Sequence, residues 1–197
     1  AEMYDTESLV GEAIRGFDRD TLFIATKVWI THMRHNQVLR AAQRSLAKLH
    51  CSYIDLYQIH WPNSSVPIKE TMKAMEKLVD EGKVRYIGVS NFSLSQMREA
   101  EEALSKHELI SNQVEYSLMV RTIEPDLLPY CDKNGIVMLA YRPVAHGALA
   151  NPSGKLKAIL DELGQKHGGK TPAQIVLNLL LNKSKMVFPI PRASRPQ

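Results

Sequence analysis

Tyr53-Ile-Asp-Leu-Tyr-Gln-Ile-His60, then Ile68 to Asp80, then Val84-Arg-Tyr-Ile-Gly-Val-Ser90-Asn91 is the stretch that decides the fold. The first and last runs are short, β-branched and aromatic, and end in polar residues, as buried strands do. The middle run is helical in period, with Pro67 just before it and Gly82 near its end. Strand, helix, strand with so short a return is a parallel βα unit.

The same unit repeats outward in both directions. Upstream, strand character over 21–27 precedes a helix over 36–49, whose Val38, Leu39, Ala42, Leu46 and Leu49 share one face. Downstream, a helix over 93–105 opens with Ser93 and Gln96 at capping-box spacing. Then follow a strand over 108–114, a helix over 125–133 closed by Gly135, and a strand over 136–141. Two helices over 155–167 and 172–181 come next, the second with Thr171 as its cap, Pro172 in its first turn and Gln174 three residues after the cap. A last short strand covers 186–190. A doubly wound sheet and a (β/α)8 TIM-type barrel both repeat strand and helix in this way. A dinucleotide-binding doubly wound sheet carries G-x-G-x-x-G at a βα turn, and none is present. The polar residues sit instead at the ends of several strands: Lys27, His60, Ser90 with Asn91, Gln113, Tyr141 and Arg192. A site fed by many strand ends is the barrel arrangement. Six of the barrel's eight βα units are legible, and no linker divides them, so residues 1–197 read as one incomplete barrel domain.

Composition narrows the function. The chain has 197 residues with 44% hydrophobic and 23% charged side chains, an ordinary globular balance. The net charge of +4 suits a small anionic ligand and is too slight and too evenly spread for nucleic acid. No apolar run approaches the ~20 residues of a membrane span. Cys51 and Cys131 form no C-x-x-C pair and read as buried packing in a reduced, cytoplasmic setting. His32, His35, His50, His107, His146 and His167 have no metal-ligand spacing and read as solvated. No helix carries a sustained heptad seam, so a monomer is expected.

Seven pieces, in order, resemble the aldo-keto reductase family. Ala1-Glu2-Met3-Tyr4 is similar to the end of its Asp-Thr-Ala-x-x-Tyr motif. Ala25-Thr-Lys27-Val-Trp29 and Gln58-Ile-His60-Trp61-Pro62 resemble its lysine and histidine strands. Gly88-Val-Ser90-Asn91-Phe92, Asn112-Gln113-Val-Glu-Tyr116, Ala140-Tyr141-Arg-Pro-Val144 and Ile190-Pro-Arg192-Ala-Ser194 resemble its cofactor-contacting elements. The resemblance implies reduction of aldehydes or ketones to alcohols, with NADPH as hydride donor and NADH as the alternative.

Such a reduction needs a hydride on carbon and a proton on oxygen. No protein side chain supplies a hydride, so a nicotinamide must. By resemblance, Tyr4 is the acid. A free phenol, with a pKa of ~10, is a poor one near neutrality, and a nearby ammonium such as Lys27 moves it toward working pH. His60 then orients the carbonyl oxygen and stabilises its developing charge. Taken singly, Tyr4 reads as a surface aromatic, Lys27 as a snorkelling lysine and His60 as a hydrogen-bonded core histidine. Their joint spacing favours a site. The resemblance further implies that Ser90, Asn91 and Gln113 hold the carboxamide and that Tyr141 stacks on the nicotinamide. It has Val144 meet the pyrophosphate through its backbone, and Arg192 and Ser194 meet the 2′-phosphate. Trp29 and Trp61 are expected as flat apolar walls of the carbonyl pocket. Strand-end capping accounts equally for Ser90, Asn91 and Gln113 taken singly.

The sequence departs from the family's pattern at both ends. The Asp expected two residues before Ala1, two strands and the first helix are not in it, nor is the helix expected after Ser194. A six-strand barrel leaves apolar edges open over 21–27 and at the last strand, so a piece of a longer protein is expected. Two other readings compete with the reductase: a nucleotide-binding partner protein of the same fold that has lost catalysis, and an inactive fragment.

Overall fold

The computed structural model describes residues 1–192. Among them, six strands and seven α-helices follow in this order: α1 (Glu7–Ala13), β1 (Ala25–Val28), α2 (His35–Leu49), β2 (Ile54–Ile59), α3 (Ile68–Asp80), β3 (Val84–Ser90), α4 (Leu94–Ala103), β4 (Leu109–Glu115), α5 (Leu127–Asn134), β5 (Val137–Tyr141), α6 (Gly154–Lys166), α7 (Pro172–Leu181) and β6 (Val187–Ile190). The chain clusters into two compact units, divided between Asn112 and Gln113 inside β4. No helix among the described residues is long and apolar enough to cross a membrane.

In the first unit, β2 is the central strand and pairs in parallel with β1 and β3. All six of its residues are buried, as expected of a strand covered on both faces. The register sets Lys27 opposite Gln58, and Gln58 opposite Gly88, so the C-terminal ends of the three strands lie abreast. Gly88 is required there. A Cβ at Gly88 would run into Ser111 Oγ and stand 2.9 Å from Gln58 Cγ. The Ser111 hydroxyl uses that space to donate to Gln58 Oε1, at 3.1 Å. Helices α2 and α3 pack their apolar faces inward: Val38, Ala41, Ala42, Leu46 and Leu49, and Met72, Ala74, Met75 and Leu78. Glu70 of α3 accepts the His35 N–H at the start of α2, at 3.1 Å. Glu76 of α3 accepts the Ser105 and Lys106 N–H groups beyond α4, both at 2.7 Å.

The N-terminal ends of the strands are tied by charge. Asp55, in β2, accepts from Arg19 at 2.5 Å, from Arg85 at 3.1 Å and from the Ile24 N–H at 2.8 Å. Both guanidiniums lie 3.9 Å from the centre of the Tyr53 ring, on which they stack.

In the second unit, β5 and β6 pair in parallel, with Tyr141 opposite Ile190. Leu149, Leu160 and Val176 form a buried cluster beneath Val144, Leu156 and Ile175. Gly135 ends α5 in the left-handed conformation (φ 69°).

The helix α1 has no counterpart in the expectations above. It holds Gly11 in mid-helix, which reads as a breaker in sequence. In the fold, Gly11 is where α1 touches α2, because a Cβ there would meet the Lys48 carbonyl oxygen. Strand β1 begins at Ala25, four residues later than expected, because Arg19–Thr21 form a 3-10 turn. The Asp18 side chain caps that turn by accepting the Asp20 N–H. Cys131 is buried as expected, but Cys51 is only half-buried.

Candidate active site

Three of the residues singled out by sequence meet at the C-terminal ends of β1 and β2. His60 follows β2 directly and is 5% exposed. Its Nε2 lies 3.3 Å from the Tyr4 hydroxyl. The Tyr4 and Trp29 rings both stand edge-on to the imidazole, with centroids 5.4 Å and 5.0 Å away. Tyr4 is carried by a 3-10 turn, Glu2–Tyr4, and its side chain opens to solvent. Trp61 stands exposed just beyond His60.

Burial, then the positive charge of Lys27, bring the His60 pKa down to about 4. At neutral pH the imidazole is therefore uncharged and carries one N–H. Its Nδ1 is buried without a partner among the described residues. With the proton on Nε2 the imidazole donates to the Tyr4 oxygen, and with it on Nδ1 the Tyr4 hydroxyl donates to Nε2. Lys27 is half-buried in β1, and burial lowers its pKa from the usual lysine value. Among the described residues no carboxylate lies within ion-pair distance of its ammonium.

Asn91 sits in the left-handed region (φ 63°), where Asn is among the residues best tolerated. Its amide donates to the His60 carbonyl at 3.0 Å and to Ser90 Oγ at 3.1 Å. Strand-end capping is therefore present, and Asn91 anchors the backbone of His60. Ser90 is buried at the end of β3.

The second unit carries the other expected cofactor residues. Gln113 lies in β4 and Tyr141 ends β5, with the Arg142 guanidinium 5.7 Å from the Tyr141 ring centre. Arg142, Val144, His146 and Arg192 line an open cleft of about 670 Å³. Arg142, Ala145 and His146 all have positive φ, from 47° to 54°. Arg142 also pairs with Glu115 at 3.3 Å. Two guanidiniums and an imidazole around one cleft form a donor set that fits the anionic phosphates of a dinucleotide. Ser194 lies outside the described residues.

Sequence reasoning missed Glu2, Arg44 and His32. Glu2 Oε2 accepts the Trp29 N–H at 3.0 Å. Its Oε1 lies 2.8 Å from Arg44 Nη2 and 2.9 Å from His32 Nδ1. His32 Nδ1 is thus buried beside the Glu2 carboxylate and not solvated, while His107 Nε2 lies 2.9 Å from Asp80 and His50 Nε2 3.6 Å from Glu12. The only signal in the sequence was an acidic residue two positions before Tyr4.

The sequence pattern of the aldo/keto reductase family matches residues 1–197. A methylglyoxal reductase of Escherichia coli (strain K12) is 37% identical over 199 residues, which cover 98% of this chain and 68% of that protein. A crystal structure of a thermostable aldo-keto reductase with the inhibitor epalrestat superposes with a TM-score of 0.90 at 43% identity, over 96% of this chain and 68% of the other. An aldo/keto reductase from Klebsiella pneumoniae in complex with NADP and acetate has a TM-score of 0.81 at 36% identity, over 95% of this chain and 65% of its own. The chain spans about two thirds of the length of these relatives.

Proposed function

Because this chain belongs to the aldo/keto reductase family, we propose that it reduces small aldehydes or ketones to alcohols with NADPH, and that Tyr4 delivers the proton. The observation that carries the reading is the Tyr4 hydroxyl 3.3 Å from a buried, neutral His60. With the His60 proton on Nε2, the Tyr4 oxygen accepts from the imidazole. Its own proton is then free to point outward to a substrate oxygen. A carbonyl oxygen docked there accepts from Tyr4, beside the uncharged imidazole. When bound, the reduced nicotinamide supplies the hydride that the carbonyl carbon requires. As the carbonyl oxygen gains negative charge, Tyr4 gives up its proton and becomes phenolate. Lys27, in β1, is in this reading the charge that stabilises that phenolate. Water restores the proton to Tyr4 for the next turnover.

The substrate class follows from the walls and the relatives. Trp29 and Trp61 offer flat apolar surfaces, and Trp61 stands open to solvent. Small carbonyl compounds of the methylglyoxal kind fit such a pocket, and a methylglyoxal reductase is among the relatives. Within the first unit Ser90 and Asn91 are proposed as nicotinamide contacts, and within the second unit Gln113 and Tyr141. Val144, Arg142 and Arg192 are proposed to hold its phosphates. The cationic cleft favours NADPH over NADH, because it offers guanidiniums to the additional phosphate.

Loss of NADPH absorbance in the presence of methylglyoxal tests the reading. Turnover is expected in the wild type, and Tyr4→Phe should lower kcat by about 10²- to 10⁴-fold, the usual contribution of a positioned acid. Wild-type turnover in Tyr4→Phe removes Tyr4 from the role.

A further inference from the structure

We propose that Glu2 is a positioning residue: its carboxylate pins the turn that carries Tyr4 to the end of β1 and to α2, and so sets the Tyr4 hydroxyl against His60. The proposal rests on the reading of Tyr4 as the acid.

The turn has little to hold it by itself. It is a three-residue 3-10 turn with no buried residue, closed by Tyr4 N–H on the Ala1 carbonyl at 3.0 Å. One such turn fixes several dihedral angles for a single bond and does not persist alone. The Tyr4 side chain adds little, since it is 57% exposed. Glu2 is the opposite: its side chain is only 15% exposed and both carboxylate oxygens are engaged. Oε2 takes the Trp29 N–H, and Oε1 takes Arg44 of α2 and faces His32. The Trp29 ring is one of the two aromatics that flank His60, and Tyr4 is the other. One carboxylate thus joins the turn of one flanking ring to the backbone of the other. Burial raises the Glu2 pKa, but the Trp29, Arg44 and His32 contacts outweigh it and hold the carboxyl below its usual range. The anchor is therefore charged at any pH where a reductase would be assayed.

A second tether lies just past Tyr4. Lys48 pairs with Asp5 at 2.6 Å, but the Asp5 side chain is 82% exposed. An exposed pair of this kind holds geometry weakly. Glu2 should matter and Asp5 should not.

The test is steady-state carbonyl reduction by the wild type, Tyr4→Phe, Glu2→Ala, Glu2→Gln and Asp5→Ala, each checked for cooperative thermal unfolding. Displacing a reacting group by about 1 Å costs on the order of 10²-fold, so Glu2→Ala should lose about that factor in kcat with KM changed less than about threefold. Glu2→Gln keeps one oxygen for the Trp29 N–H and loses the Arg44 pair, so its kcat should fall by about three- to tenfold, less than in Glu2→Ala. Asp5→Ala should stay within about twofold. A Glu2→Ala kcat within about twofold of wild type overturns the proposal, as does a loss confined to KM. Should the alanine variant unfold, the same two outcomes in Glu2→Gln overturn it. Failure of the underlying reading looks different, because Tyr4→Phe would then turn over normally whatever the Glu2 variants do.

Discussion

Acidification should weaken the folded state through His60 before any carboxylate responds. The folded imidazole has a pKa of about 4, against an ordinary 6.5. Between those values the unfolded chain binds a proton that the folded chain refuses, so stability rises with pH across this window and falls as pH is lowered through it. At about pH 4.5 the difference amounts to about 2.5 kcal/mol relative to neutrality, at ~1.4 kcal/mol for each tenfold loss of proton affinity. The physical source is burial first and the Lys27 charge second. Glu2 and Glu76, whose carboxyls are held below their usual range, lose their stabilisation in the same direction but at lower pH. Urea unfolding of the wild type and of His60→Gln at about pH 7 and about pH 4.5 separates these sources. The substitution lowers absolute stability at both values, but the gap between the two proteins should narrow by about 2.5 kcal/mol on acidification. Parallel stability curves over that interval would refute the assignment of a neutral, desolvated imidazole.

Three further substitutions test the scaffold. Gly88→Ala places a methyl against Ser111 Oγ and Gln58 Cγ between two strands, so it should cost about 1–3 kcal/mol in urea unfolding, as overpacking does. Asp55→Ala leaves Arg19 and Arg85 without their shared carboxylate and the buried Ile24 N–H without an acceptor, and should cost about 3–5 kcal/mol by the same measurement. Thr171→Ala removes the oxygen that accepts the Gln174 N–H at the head of α7, and should lower stability by about 1 kcal/mol.

The elements most legible in the sequence were those whose ends are marked by side-chain chemistry. Thr171 with Gln174, and Ser93 with Gln96, both close capping boxes in the structure. The spans of α3 and α7 are as expected, Ile68–Asp80 and Pro172–Leu181. What stayed illegible depended on contacts between distant residues. Gly11 is a breaker by propensity and a helix residue in fact, because the Lys48 carbonyl occupies the place of its missing Cβ. The start of β1 is delayed by a turn whose cap, Asp18, carries no mark of its own in sequence. The site divides in the same way. Residue types at strand ends pointed to Lys27, His60 and Ser90, whereas Tyr4 was singled out by family resemblance alone, and its contact with His60 comes from the fold. Glu2 and Arg44 could not be found, since nothing in either one's neighbourhood announces a bond across 42 positions of chain.

The two ends of the β1–β2–β3 layer argue for the functional reading without the family. At the N-terminal ends, the buried Asp55 is saturated by two guanidiniums and a backbone N–H. Arg19 there leaves only its Nε unpartnered among the described residues. Such satisfaction belongs to an end that holds the fold together. At the C-terminal ends, the same layer keeps a histidine uncharged with one ring nitrogen orphaned, and a half-buried lysine with no carboxylate beside it among the described residues. Both arrangements are unfavourable to folding, and folding alone gives no reason for them to lie together. A barrel of this class places its chemistry at the C-terminal ends of its strands, and groups with perturbed protonation gather where chemistry is done. The uncharged histidine, the half-buried lysine and the phenol in contact with the histidine therefore lie at the end where a reductase needs them.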